Sequence, residues 1–363
     1  MRRYSAETVK TYVATIIERH GVPSGKASVT AEVLVEADLR GIFSHGANNL
    51  DLLVVSSIKE GGTYPDAEPK DVTRNKSFPI RHIDACGDLG HSVAKSAVAC
   101  VKELAETHGI GKVYVYNANH FGAASVYSEE ICEEKLLAGR VTCTTASVVT
   151  PHGGEGNRLG TNVMCWSVPY SEGIVTIDMA TTIHAVSGIA KALIEGVQLP
   201  FPVLDQHREE TTDPGSFEGL DDFLKNGSMV PLGGLGKEKA EQADAGFKGT
   251  GLATLIELDS AVGGGRSTFV DPMAHGTDRW IRQTFEAWRI DTLFSCDEAL
   301  QHVSDTVADI KAHGGEAMLL PGEKEQKQRD LSLAQGIAYS PKQIERLNEL
   351  GKEVGLAPLE SAG

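Results

Sequence analysis

The sequence predicts an α/β core preceded by a helical N-terminal subdomain, and two observations carry the prediction. The first sixty residues show helical periodicity and no strand pattern. From about residue 78, short runs of β-branched and aromatic residues alternate with helical stretches, which is how a sheet covered by helices reads in sequence.

Taken in order, Ser5 opens the first helix as a cap, and Val9, Tyr12, Val13, Ile16 and Ile17 follow at helical spacing until Gly21 and Pro23 stop it. A second helix is predicted over 28–40 and a third over 47–59, with the break at Gly61 to Pro65 closing a helical subdomain of residues 1–75. The α/β core then covers 76–325. It has strands at 78–83, 112–116, 140–145, 163–168 and 174–179, and helices at 89–106, 123–134 and 183–195. Thr150 to Asn162 is too rich in glycine and polar residues for regular structure and is read as a functional loop. Residues 198–247 look like an extended excursion. A helix at 248–262, a strand at 285–290, a helix at 297–311 and a turn at Pro321-Gly-Glu323 follow. Residues 326–363 form a C-terminal helical segment whose last helix is 341–355.

The 363 residues suffice for a sizeable core, and 41% apolar content fits a globular chain with no run long enough to span a bilayer. A formal net charge of -16 argues against nucleic acid or an anionic membrane as partner. The start, MRRYSAETVK, lacks the apolar stretch of a signal peptide. The six cysteines are scattered without a CxxC pair, as in reduced thiols of a cytoplasmic protein that binds no metal through them.

Two histidines stand out. His120 sits where the strand 113–116 gives way to a helix, and His45 follows the helix that ends near Gly41. Loops at such junctions hold reactive groups on a rigid frame, and imidazole gives or takes a proton near neutral pH. His82, His108, His207, His275, His302 and His313 are read as structural or surface residues. The glycine-rich turn of a Rossmann fold is absent. Gly249-Thr-Gly251 lacks the third glycine and follows a polar stretch that is no strand, so it is read as a site of close helix packing. A nucleotide bound here uses another frame. The 150–162 loop, with four glycines and Arg158, is a candidate anion site or a surface loop. Asp178 to Thr182 ends a strand and either caps the next helix or meets a phosphate or ribose.

SHG at 44–46, NHFGAA at 119–124, PHGG at 151–154, LGTN at 159–162, DMAT at 178–181, PLGG at 231–234, KGTGLA at 248–253 and PGE at 321–323 occur together and in order. The set resembles the malate/L-lactate dehydrogenase type 2 family, whose relatives include ureidoglycolate and sulfolactate dehydrogenases, diketogulonate reductase and cyclic imino-acid reductases. The resemblance implies a non-Rossmann nicotinamide-binding α/β fold, NAD or NADP as cofactor, no metal, and a homodimer. It implies that His120 is the acid/base on the substrate oxygen and His45 a second catalytic or orienting group. It places Ser44, Thr145, Ser147, Asp178, Met179, Ala180, Thr181, Thr182, Lys248, Gly322, Glu323 and Lys324 at the cofactor.

The departures bear on substrate. The family has an arginine and a tyrosine, which grip a substrate carboxylate, where this chain has Asn49 and Leu53. A charge-assisted bond is worth roughly 1.5–3 kcal/mol, and asparagine donates a hydrogen bond without neutralising charge. DMATT and the following His184 also differ from the family pattern. The expected substrate is therefore either less charged than the family's or an acid held by Arg158, His152 or His184. The expected reaction is reversible reduction of a 2-oxo acid to its 2-hydroxy form. A cyclic C=N reductase and a cofactor-binding homologue without catalysis are the alternatives.

Overall fold

A computed structural model describes residues 2–234, 245–264, 281–315 and 317–361, so His275 lies outside the described residues. In chain order the elements are β1 (Arg2–Tyr4), α1 (Ala6–Arg19), α2 (Ser24–Leu39), α3 (Ser56–Lys59), β2 (Lys70–Asp71), β3 (Ile80–Asp84), α4 (Gly90–His108), β4 (Ile110–Ala118), α5 (Ala124–Cys132) and β5 (Leu137–Thr144). They continue as β6 (Val163–Tyr170), β7 (Gly173–Met179), α6 (Val186–Glu195), β8 (Val203–Leu204), β9 (Glu210–Thr211), α7 (Leu220–Asn226) and α8 (Gly246–Gly264). The last are β10 (Ile281–Arg289), α9 (Cys296–Gly314), α10 (Glu323–Gln335), β11 (Ile337–Tyr339) and α11 (Pro341–Glu353). The chain forms two compact units. The first is Met1–Val141, Cys165–Asp178 and Thr284–Gly363; the second is Thr142–Met164 and Met179–Gln283.

In the first unit, Ser5 caps α1 by accepting the Thr8 amide, as its position before the apolar pattern predicts. The inward face of α1 (Val9, Val13, Ile16, Ile17) packs with Ala31, Leu34 and Val35 of α2 and with Tyr339, Leu347 and Leu350 from the C-terminal end. Each buried valine, leucine or isoleucine among them contributes about 1.5–3 kcal/mol by leaving water. α2 starts four residues earlier than the sequence suggests, at Ser24, because Pro23 ends one helix and opens the next. The third helix is not one helix. Residues 47–49 form a 3₁₀ turn, Asp51–Val55 a π-turn, and only Ser56–Lys59 are α-helical. Such turns often mark functional segments.

The sheet has seven strands in the order β2-β3-β4-β10-β5-β6-β7. β3 and β4 are parallel, joined by α4, and β2 runs antiparallel to β3. β10 inserts between β4 and β5, and its Glu286 pairs with Lys112 of β4 at 2.7 Å and with Arg140 of β5. α10 is a helix that periodicity does not reveal, since Ser332 is its one fully buried residue. β1 and β11 form a separate two-stranded sheet.

The second unit has its own core of Val148, Val149, Leu159, Ile189, Leu199, Val203, Phe217, Phe223, Met229 and Ala253. The expected excursion after residue 198 therefore carries core. It holds the β8–β9 hairpin, α7, and Phe217 packed edge-on against Phe223 with ring centroids 5.1 Å apart. Gly249 on α8 is glycine because a Cβ there would lie 2.5 Å from the Leu232 backbone, the close packing its motif predicts.

Candidate active site

The site is built in the first unit from two loops. β4 ends at Ala118 after Asn117 turns the backbone left-handed (φ 56°) and donates to Asp84 Oδ1 at 3.0 Å. Asn119 Nδ2 then donates to the Gly87 and Asp88 carbonyls at 2.9 and 3.0 Å, so the 119–123 loop is bound to the segment before α4. This holds His120 in place, half-buried. The second loop leaves α2 and carries Ser44 and His45. Asn49 Nδ2 donates to the Phe43 and Ser44 carbonyls at 3.0 and 3.1 Å and closes the turn.

The two loops bring the histidines together. The His45 and His120 rings stack with centroids 5.5 Å apart and planes 17° from parallel. Their partners differ. The Gly122 amide donates to His120 Nδ1 at 3.1 Å, which leaves the proton of the neutral ring on Nε2. His45 Nδ1 faces the Ser44 hydroxyl at 2.8 Å, and a hydroxyl can donate to that nitrogen or accept from it. Burial lowers the pKa of both rings. For His45 the charge of Asp178 partly offsets burial, whereas for His120 the neighbouring His45 and His91 add to it.

Two residues of this region escape sequence reading. His91, in the first turn of α4, is a third imidazole and a fully buried one, 6.2 Å from the His120 ring, with Nε2 unpartnered and its pKa pushed down to about 3 by burial. Asp38, at the end of α2, is fully buried and accepts the Ala47 amide at 2.9 Å. A second carboxyl, Asp178, expected at the cofactor, accepts the Ser125 amide at 2.8 Å and so caps α5, whose own start offers no capping side chain. Burial raises its pKa, and its charge bears on His45.

The remaining expected residues fall as follows. Ser44 is the partner of His45. Leu53 lies in the π-turn and packs half-buried against the helical core. Gly322 ends the turn before α10, whose first residues are Glu323 and Lys324; Glu323 accepts the Leu320 amide at 3.0 Å and pairs with Lys311. Met179 ends β7 and Ala180 follows it, before Thr181. In the second unit, Thr145 bonds Thr161 at 3.0 Å, Thr181 donates to the Thr161 carbonyl, and Ser147 is buried. Thr182 donates to the His184 carbonyl at 2.6 Å, and His184 Nε2 lies 2.8 Å from the Phe201 carbonyl, so His184 pins a loop. The His152 amide donates to Thr250 Oγ1 at 2.8 Å. Arg158 is exposed and commits one donor to the Asn157 carbonyl. The glycine loop is ordered by the pairing of Val149 with Leu159. Lys248 is exposed at the start of α8 and forms no ion pair among the described residues.

Comparison with known proteins agrees on the class. A sequence model of malate/L-lactate dehydrogenases matches residues 4–348. The L-sulfolactate dehydrogenase of Methanocaldococcus jannaschii is 29% identical over 357 residues, covering 96% of each chain. The structure of malate dehydrogenase from Pyrococcus horikoshii OT3 superposes with a TM-score of 0.82 at 25% identity, covering 98% of this chain and 97% of that one. The delta1-piperideine-2-carboxylate reductase of Pseudomonas syringae, at 24% identity, shares the fold with a TM-score of 0.82 over 96% of this chain and 100% of its own. A match over nearly the whole length, with a mixed sheet of the same architecture, makes this chain a member of the malate/L-lactate dehydrogenase family and an oxidoreductase.

Proposed function

We propose that the chain interconverts a 2-hydroxy acid and its 2-oxo form with NAD or NADP, and that His45 carries the proton while His120 holds the substrate oxygen. The observation that carries this assignment is the difference in partner at Nδ1. Protonating His120 would set an N–H against the Gly122 amide, so that ring stays neutral and offers a fixed Nε2–H to a carbonyl or alkoxide oxygen. His45 can change charge at no such cost, because Ser44 turns its hydroxyl to suit either state. The sequence resemblance gives the acid/base role to His120; hydrogen bonding favours exchanging the two roles.

The nicotinamide would supply or accept the hydride. The chain's own contribution to holding it fits a dinucleotide. Exposed Lys324 suits a phosphate in the first unit, and exposed Lys248 suits one in the second. The substrate end of the loop supports a compound less charged than a dicarboxylate. Both amide hydrogens of Asn49 are occupied by loop carbonyls, and its neighbour Leu52 is 52% exposed. Of the residues expected to hold an acid instead, His184 has Nε2 engaged, while Arg158 keeps most of its donors.

A homodimer is supported by α8, whose Leu255, Leu258 and Val262 are 64%, 63% and 80% exposed along one stripe; sedimentation would show a single-chain mass if it is wrong. Free thiols at all six cysteines fit a cytoplasmic location, which fractionation of the source cells would check.

The test is turnover of NADH and NADPH with pyruvate, oxaloacetate, longer 2-oxo acids and a cyclic imino acid. At least one 2-oxo acid should react, and His45→Ala should cost ~10² to 10⁴ in rate. Cofactor binding without turnover of any compound would favour a non-catalytic homologue, and imine turnover alone would favour the C=N reductase.

A further inference from the structure

Asp38 is a buried carboxyl that the proposed reaction does not use. Its Oδ2 accepts the Ala47 amide at 2.9 Å and the Tyr339 hydroxyl, while Oδ1 has no partner. A Cβ on Gly46 would lie 1.7 Å from Oδ1, so the chain crosses the carboxyl at a distance that only glycine allows. As a stabilising device the arrangement is poor, since an apolar side chain would fill the space without stranding a polar atom. What it does supply is a fixed anchor two residues beyond His45.

We propose that Asp38, with Tyr339, is a positioning residue for His45, fixing the Ala47 amide and hence the register of the 43–49 loop that stacks His45 on His120. The inference rests on the reading of His45 as the proton carrier. It places control of the working imidazole on β11, far along the chain, and gives that control a dependence on pH. Burial pushes Asp38 up to about 7, against the hydrogen bonds from Tyr339 and Ala47 that draw it down. Among the described residues Tyr339 on β11 is the titratable group that bears on it; Ala47 and Gly46 present only backbone, and no charged side chain of α2 contributes. Losing the proton strengthens the hydrogen bonds from Ala47 and Tyr339 but leaves a charge buried beside the loop, so the setting of the 43–49 loop changes as Asp38 titrates.

The experiment follows the His45 ring by NMR of the full chain labelled at histidine Cε1, from pH 5 to 9, with His45→Gln to assign the signal. In the wild type the signal should show, besides its own titration, a second inflection near pH 7. Asp38→Asn, which keeps the shape and cannot ionise, should abolish that inflection. Tyr339→Phe removes a donor that lowers the Asp38 pKa and should move the inflection to higher pH. Turnover measured alongside at pH 8 should fall by as much as ~10²-fold in Asp38→Asn, with KM for the nicotinamide little changed. Wild-type and Asp38→Asn titrations that superimpose would overturn the proposal; if Asp38→Asn does not fold, an unmoved inflection in Tyr339→Phe does so. Turnover that survives His45→Gln would instead sink the reading of His45 as proton carrier and leave the titration result standing.

Discussion

Asp38 shows how one residue can weaken the fold where it serves the site. In the unfolded chain its carboxyl ionises near 3.8, and in the folded protein near 7. Below about pH 4 it is protonated in both states and has no effect on stability. As pH rises, the unfolded chain loses the proton first, so folding stability falls until about pH 7 and then levels off. At about 1.4 kcal/mol per pH unit, the interval from 3.8 to about 7 bounds the loss at on the order of 4 kcal/mol. Asp38→Asn should therefore melt higher relative to wild type at pH 8 than at pH 5, even as its turnover falls. A difference in Tm that is constant with pH would show that the carboxyl does not titrate in the fold. His45 and His120 were legible in the sequence because each stands at a junction of elements. Asp38 and His91 were not, because a lone Asp or His in a helical pattern reads as a solvated face, and only tertiary packing buries it.

At the scale of elements, the two loops stay in register because their parent helices are pinned together. Arg40, at the end of α2, pairs with Glu36 at 2.9 Å and with Glu129 of α5 at 2.6 Å. Both sides are largely buried, with side-chain exposures of 9% for Arg40 and 17% for Glu129. Arg329 of α10 also binds Glu36. Removing one partner of such a network strands a buried charge, so Arg40→Leu should cost about 3 kcal/mol in denaturant unfolding. Arg40→Leu with Glu129→Leu should recover much of that, and a double variant no better than the single would refute the pairing. The helices and strands were largely visible in the sequence from apolar spacing and caps, as with Ser5 and the run at Val113. The insertion of β10 between β4 and β5 was not, since Glu286 meets Lys112 and Arg140 only after distant parts of the chain have paired. The broken third helix was hidden for a similar reason: the Ala47 amide goes to Asp38 instead of to a helical carbonyl.

For the molecule as a whole, the family and the reaction class were readable from ordered motifs, while the division of labour proposed for the two imidazoles draws on the coordinates. It rests on one hydrogen bond at each Nδ1, and ¹⁵N NMR of the histidine rings reads both directly. His120 should remain the neutral Nε2–H tautomer from pH 5 to 9 while His45 passes from imidazolium to neutral at a pH below 6.5. A His120 that takes up a second proton near neutral pH, beside a His45 that never titrates, would contradict that assignment.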